Sequence, residues 1–251
     1  MSLREQIEAN FLDADGLVSP NPCSPITRNA SNNGICYTGE YFTLLELTGE
    51  NYTIGPFIET MKHCQRTLGV LSRSPINDSD LEGPDDYYGF LSGCYFAPAR
   101  TLALDSLKYG VHNYGAFNNL NPGHFQWAVM LWRQPQLLAM NIWAAECIPF
   151  IYRGFFKLAM LPLTLYVATS IGVSCIGKKQ TDGADSWRLT WLLVQLAERN
   201  SWICRLASKL WYKRLDNVWG GMAGVAKNYY HGLPGEDHPF VSAFANLDAR
   251  R

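Results

Sequence analysis

The chain has 251 residues and a formal net charge of −1, from 21 basic and 22 acidic side chains. A nearly neutral chain has no overall field that would recruit nucleic acid, so we expect no nucleic-acid partner. Hydrophobic residues make up 47% of the chain and charged residues only 17%, which supplies a substantial core. The charged N-terminus lacks the apolar stretch of a signal peptide, so we expect synthesis in the cytoplasm without one.

The seven cysteines are dispersed, without a C-x-x-C pair or a tight Cys/His cluster. This pattern is typical of reduced, mostly buried thiols. The chain also lacks a P-loop, a G-x-G-x-x-G run, an H-E-x-x-H pair and a G-x-S-x-G elbow. We therefore expect no metal and no cofactor.

Helical spacing of apolar residues dominates almost the entire chain, and no stretch shows sustained alternation with the period of a strand. Loops are indicated where Pro, Ser, Asn and acidic residues cluster. The predicted elements are a first helix carrying Leu3, Ile7 and Phe11, a loop over 14–36, helices over about 38–47 and 54–71, and a polar loop over 72–84.

The same order of loop, helix, turn and helix returns along the rest of the chain. It is followed by a long apolar segment and then by an irregular, glycine-rich tail. The predicted elements are helices over about 85–96 and 98–112, a loop over 113–123, helices over about 124–132 and 135–146, an apolar segment over 148–177, a polar loop over 178–185, helices around 189–196 and 203–210, and a tail over 220–251 with a possible helix at 222–229.

This succession predicts an all-α protein, with residues 1–251 as one domain. Its helices form consecutive antiparallel pairs with a period of roughly forty to fifty residues. Stacked pairs of this kind make an open solenoid or close into a ring, and we favour an α/α-toroid or a partial toroid. An irregular helical domain and a bundle remain the alternatives.

Residues 158–177 form a stretch of twenty positions without a charge, which is long enough to cross a bilayer. Pro162, Gly172 and four serine and threonine side chains lower its hydrophobicity. A fully buried central helix is the favoured interpretation, and a membrane-associated segment is the alternative.

If the helix pairs alternate between inner and outer positions, the inner helices begin near residues 38, 85 and 124. Their first turns would then meet around one cavity lined by carboxylates, aromatic rings, a histidine and a cation. The catalytic candidates are Asp86, Glu40 and His124, and the substrate-binding candidates are Tyr87, Tyr88, Trp132, Arg133 and Asp85.

This layout resembles the α/α-toroid glycoside hydrolases and polysaccharide lyases. The resemblance implies that carboxylates at inner-helix ends act as general acid and base, and that tryptophans and tyrosines stack on sugar rings. The segments Asp85-Asp86-Tyr87-Tyr88-Gly89 and Trp132-Arg133-Gln134-Pro135 also resemble parts of uncharacterised helical proteins encoded by bacteriophages.

Asp85 is predicted to cap its helix, because a carboxylate at a helix start accepts hydrogen bonds from the free backbone N–H groups there. Asp86 is then the better acid/base candidate. A hydrolase needs two carboxyl groups roughly 5 to 10 Å apart on opposite sides of the scissile bond, so Glu40 from another helix is its predicted partner. Arg133 would clamp a carboxylated sugar, or would cap the preceding helix.

Two further features lie near the end of the chain. His238 stands in a polar and aromatic cluster that covers the cavity mouth or forms a surface tail. Arg205, Lys209 and Lys213 recur at a spacing of four, which fits a phosphate-rich or acidic partner or an ordinary solvated helix face.

Three functions remain open. The first is a carbohydrate-binding domain with a glycan as partner, and whether it also cleaves that glycan stays open. The second is a non-catalytic structural protein of a larger assembly such as a virus particle. The third is a membrane-associated helical protein that uses residues 148–177.

Overall fold

A computed structural model of the chain describes residues 1–26, 33–80, 84–112, 154, 158, 161–176 and 184–251. The chain divides into two compact units, Met1–Ile148 and Pro149–Arg251. The described part contains ten helices and one short antiparallel sheet. The protein is therefore mostly helical, as the sequence predicts. The predicted helices over 124–132 and 135–146 lie outside the described residues.

The first unit combines helices with a three-stranded sheet of order β1-β2-β3. Its elements are α1 (Leu3–Asn10), α2 (Gly34–Thr48), α3 (Ile54–His63), β1 (Gln65–Thr67), β2 (Val70–Ser74), β3 (Asn77–Asp80), α4 (Pro84–Phe96) and α5 (Arg100–His112).

The core of this unit is built around α2, whose residues 34–45 are all buried. A helix that is buried on every side needs neighbours that approach closely all round. Gly39 supplies one such approach, because a Cβ atom at this position would overlap the backbone of Gly89 in α4. A Cβ atom on Gly93, one turn later, would lie 2.7 Å from the Cα atom of Gly39. Small residues on both helices therefore allow α2 and α4 to make the most extensive helix contact in the unit.

The N-terminus of α1 is held by two carboxylates. Ser2 and Glu5 form a capping box, in which the Ser2 N–H donates to the Glu5 carboxylate at 2.8 Å. The N–H groups of Leu3 and Arg4 donate to the carboxylate of Glu50, at 2.9 and 3.1 Å. Since Glu50 directly follows the C-terminus of α2, these bonds fasten the first helix to the central one.

The sheet is a correction to the predicted helix over 54–71 and the predicted loop over 72–84. The helix ends at His63, and β1 turns into β2 through Leu68 and Gly69. Gly69 has a φ of 84°, which glycine adopts without the penalty that a side chain brings. Leu68, expected on the apolar face of a helix, is exposed at this turn. The short strands escaped prediction because β1 has only three residues, β2 is buried almost throughout and β3 is entirely polar, so none of them alternates.

The second unit is entirely helical in its described part. Its elements are α6 (Leu161–Ile176), α7 (Ala184–Asn200), α8 (Trp202–Trp219), α9 (Met222–Tyr229) and α10 (Pro239–Asp248). The rings of Trp187 and Trp211 pack 5.8 Å apart between α7 and α8. Trp191 meets Phe244 of α10 edge to face at 4.7 Å. No helix in the described residues is both long and apolar enough to cross a membrane.

The tail over 220–251 contains more helix than the sequence predicts. The helix considered at 222–229 is confirmed, and α10 is an addition to the predicted elements. His238 is the N-cap residue of α10, and its Nδ1 accepts a hydrogen bond from the Phe240 N–H at 3.1 Å. Pro239 at the first helical position supports the same start. The sequence does contain a signal for the start of α10, which is this His-Pro pair before a run of apolar residues.

In each unit, the two helices that contact each other most extensively are not consecutive in the chain. The most extensive helix contacts are those of α2 with α4 and of α6 with α8, so an intervening helix separates each pair along the chain. Consecutive contacts also occur, as between α9 and α10. The toroidal arrangement therefore stays a prediction.

Candidate functional site

Glu40 lies in the interior of α2 and not at its open end. The helix begins at Gly34, four residues earlier than predicted, so Glu40 is its seventh residue. Its side chain is fully buried. Glu40 therefore belongs to the centre of the first unit, next to the close approach at Gly39.

Asp86 is also fully buried, and it forms an ion pair with a residue that the sequence did not suggest. Its Oδ2 lies 3.1 Å from Nε of Arg73, which comes from β2. The Arg73 side chain is largely buried as well. Residue 73 fell in a predicted polar loop, so only the strand pairing of β2 brings this cation to the start of α4.

The remaining predicted site residues are only partly placed. α4 begins at Pro84, so Asp85 is its second residue, and its predicted capping role stays a prediction. Tyr87 and Tyr88 belong to the same first turns of α4, and the side chains of these three residues lie outside the described part. His124, Trp132 and Arg133 also lie outside the described residues.

The structure thus brings Glu40 and Asp86 onto two helices in contact, with Arg73 beside the second carboxylate. Removing a carboxylate from water costs several kcal/mol unless charges and hydrogen bonds compensate for it. Buried charges of this kind cluster at functional sites, and structural ion pairs bury charges as well. This pair of buried carboxylates, which we call the carboxylate pair, is therefore a candidate catalytic site.

An open cleft of about 70 Å³ lies between α1, α2 and α3. We call it the tyrosine cleft. Arg4 and Glu8 form an ion pair of 2.8 Å at one side, with more than two fifths of each side chain exposed. The residues that line the cleft also include Tyr41, Tyr52, Thr53 and Pro56.

The two tyrosines of this cleft have fixed positions. The Tyr52 hydroxyl donates to the Phe96 carbonyl at 2.8 Å, and its ring meets Phe42 edge to face at 5.6 Å. Tyr52 is half-buried, whereas Tyr41 is almost fully buried and forms the floor. Burial raises the pKa of Tyr41, and the charge of Glu8 adds to this effect, so its hydroxyl stays neutral.

A cationic and aromatic cluster forms in the core of the second unit. Arg188 of α7 is fully buried, with its guanidinium 4.7 Å from the ring centre of Tyr229 and 5.9 Å from that of Tyr230. Tyr230 stacks on His238 at 4.8 Å. His238, considered as a cover for a cavity or as a surface residue, is instead buried in this core. The cluster replaces water around a charge with aromatic faces, which is a stabilising arrangement.

A second polar network joins α7, α8 and the C-terminus. The Tyr212 hydroxyl is bonded to Gln195 and lies 3.4 Å from the carboxylate of Glu198. Ser208 donates to the same carboxylate. The Arg251 guanidinium lies over the Tyr212 ring at 4.1 Å. Sequence spacing does not reveal this network, because its members come from three segments.

The six cysteines of the described residues are free thiols. Burial raises the pKa of the Cys64 thiol to about 12 and that of Cys23 to about 11. Burial likewise holds the pKa of Cys94 well above its usual range. Within the described residues, no three His, Cys, Asp or Glu side chains gather closely enough to hold a metal ion. These thiols are therefore suited to packing rather than to nucleophilic chemistry.

Comparison with known proteins adds no assignment: no protein-family model, no curated protein and no solved structure matches the chain significantly. The function must therefore be argued from the carboxylate pair and the tyrosine cleft.

Proposed function

We propose that the first unit binds carbohydrate at the tyrosine cleft. The observation that carries this proposal is the partly exposed Tyr52 in the same cleft as the solvated Arg4–Glu8 ion pair. A sugar ring has an apolar C–H face and a rim of hydroxyl groups. An aromatic side chain suits the face, while a guanidinium and a carboxylate suit the hydroxyls as donor and acceptor.

The dimensions of the cleft favour contact with one edge of a sugar chain. A volume of about 70 Å³ holds about two water molecules, which is too little to enclose a monosaccharide. The bond from Tyr52 to Phe96 fixes the ring before any ligand arrives. A fixed ring loses little side-chain entropy on binding, so even a shallow contact contributes to affinity.

The proposal extends to cleavage, with Glu40 and Asp86 as general acid and base and with His124 as a further base. What supports it is the complete burial of both carboxylates on neighbouring helices of one unit. Tyr87, Tyr88, Asp85, Trp132 and Arg133 are the proposed substrate contacts. The corresponding enzyme class is a glycoside hydrolase or a polysaccharide lyase, built as a full or partial α/α-toroid.

Binding is tested on a glycan array, followed by calorimetry with the best ligand. We expect Arg4→Gln and Glu8→Gln to weaken binding about tenfold, which corresponds to the loss of one charged hydrogen bond. Lys62→Gln and Glu59→Gln are the matched controls, because these residues form a similar surface ion pair away from the cleft. The proposal fails if the wild type binds no glycan, or if the cleft variants bind as tightly as the controls.

Cleavage is tested by the release of reducing ends and by absorbance at 235 nm, which reports unsaturated products. Glu40→Gln and Asp86→Asn should each lower the rate at least about a hundredfold. The unfolding temperature separates catalysis from packing. A Glu40→Gln variant that loses activity while it keeps or gains stability supports a catalytic role. If Glu40→Gln loses activity and stability together, or loses neither, Glu40 is a structural residue.

A further inference from the structure

One face of α8 carries a row of large apolar side chains in solvent. Trp202, Leu206 and Leu210 are 64%, 55% and 60% exposed. Their spacing of four places them on one side of the helix, above one another. The opposite side packs into the unit through its buried residues, which are Cys204, Ser208, Trp211 and Leu215.

A row of cations runs beside the apolar row along its whole length. Arg205, Lys209 and Lys213 are exposed, and each follows an apolar member by three residues. At 100° per residue, both rows together occupy a face about 140° wide. Residues 202–213 contain no acidic side chain. The exposed face of α8, which we call the basic-apolar face, is therefore both hydrophobic and positively charged.

We propose that the basic-apolar face of α8 binds the surface of an anionic lipid bilayer, with the helix lying parallel to the membrane plane. Amphipathic helices of this composition insert leucine and tryptophan side chains at the acyl boundary, while lysine and arginine contact lipid phosphates. Tryptophan in particular favours the headgroup layer, where its ring is buried and its N–H stays hydrated. The contact is peripheral, and it uses a different segment from residues 148–177.

Charge complementarity favours lipid over a protein partner. An apolar protein groove that covers Leu206 and Leu210 would also strip water from the adjacent Lys209 and Lys213. The headgroup layer admits the leucines and leaves the ammonium groups hydrated, because long basic side chains reach outward from the apolar surface. A second copy of the chain is disfavoured as well, since pairing the two faces would bring six cations together.

The test is co-sedimentation of the full chain with vesicles of phosphatidylcholine alone and of phosphatidylcholine with about one third phosphatidylserine. We expect binding only to the anionic vesicles. Raising the salt from about 0.1 M to about 0.5 M should weaken it at least tenfold, because screening shortens the reach of surface charges. Each cation removed should reduce binding by about fivefold.

Two sets of variants separate charge from apolar insertion. Arg205→Gln/Lys209→Gln/Lys213→Gln should lower binding about a hundredfold, and Leu206→Gln/Leu210→Gln should lower it at every salt concentration. The charge-matched control is Lys62→Gln/Lys227→Gln/Arg250→Gln, which removes three exposed cations elsewhere. Ile26→Gln/Leu68→Gln is the control for exposed apolar side chains. Both controls should bind as the wild type does.

Several results would overturn the proposal. They are no binding to either vesicle, equal binding to neutral and anionic vesicles, and equal losses in the face variants and their controls. Self-association of the wild type that Leu206→Gln/Leu210→Gln abolishes, without vesicle binding, would identify the face as a contact between copies. Because the glycan experiments use residues of the first unit, failure of one proposal is distinguishable from failure of the other.

Discussion

Gly39 of α2 and Gly89 of α4 lie in backbone contact, and neither position has room for a side chain. A Cβ atom on Gly39 would overlap the carbonyl group of Gly89, and one on Gly89 would overlap the backbone of Cys36. The first unit therefore depends on glycine at the crossing of its two most closely packed helices. This crossing is also what sets the positions of Glu40 and Asp86.

Substitution of Gly39 by alanine should destabilise the protein by more than about 2 kcal/mol, because the helices must separate to admit one methyl group. Gly55→Ala is the matched control. Gly55 lies in α3 with nothing within 4 Å of an added Cβ, so alanine there should stabilise by about 0.4–1 kcal/mol. Urea unfolding of both variants measures the difference. Similar effects at the two positions would refute the close crossing.

Loss of Arg73 should leave the buried carboxylate of Asp86 without its ion-pair partner. We expect Arg73→Gln to cost about 3–5 kcal/mol. The double variant Arg73→Gln/Asp86→Asn should recover part of that loss, since it removes the uncompensated charge. Lys62→Gln, in an exposed pair, should cost less than about 1 kcal/mol. Denaturant unfolding of these three variants and of Asp86→Asn gives the four values, and a purely additive double variant would contradict the coupling.

Stability should fall at alkaline pH because of Tyr212. Burial raises the pKa of this tyrosine in the folded protein, and Glu198 adds to the effect. The folded state then holds its proton more tightly than the unfolded chain does. The resulting stabilisation is complete below the unfolded pKa of about 10 and is lost as pH rises from there toward the folded pKa.

The measurement is the unfolding temperature between pH 8 and pH 11.5 for the wild type and for Tyr212→Phe. The variant should lose about 1 kcal/mol at neutral pH, through its hydrogen bonds, and should decline less steeply above pH 10. Some decline remains, because burial also raises the pKa of Tyr41. Tyr95→Phe, outside this network, is the control. Parallel curves for Tyr212→Phe and the wild type would contradict the assignment.

The thiols of Cys23, Cys64 and Cys94 should resist alkylation in the folded protein. With pKa values of about 12 for Cys64 and about 11 for Cys23, almost no thiolate exists at pH 8. Iodoacetamide labelling, read peptide by peptide by mass spectrometry, should therefore leave Cys23, Cys64 and Cys94 largely unmodified. The same reagent in urea provides the control, where all three should react. Rapid labelling of Cys64 in the native state would show that solvent reaches this thiol in the folded protein, which would contradict its burial.

Several elements follow from the sequence because their signals are local. The spacing of Leu3 and Ile7 and the stop at Gly49 predict helices close to those observed, and the apolar periodicity predicts α7 and α8 over about half of their lengths. The sheet over 65–80 does not follow in this way. Its short strands gain stability mainly from packing, as Gly69 shows by fitting closely against Tyr109 of α5.

For the candidate site as well, the sequence identified individual residues, whereas their contacts were visible only in the structure. Sequence alone singled out Glu40 and Asp86 as carboxylates on separate helices, and it singled out the row of Arg205, Lys209 and Lys213. It determined the predominantly helical class and the dispersed thiols, because helical periodicity and composition depend only on neighbours along the chain.

Only the tertiary structure decided that Arg73 pairs with Asp86, that Glu40 lies inside a fully buried helix, and that the cations of α8 stand beside exposed leucines. These relationships join residues from different elements, or depend on which helix face the core covers. Burial and ion pairing between distant segments arise when helices pack, and no local pattern encodes which partners will meet.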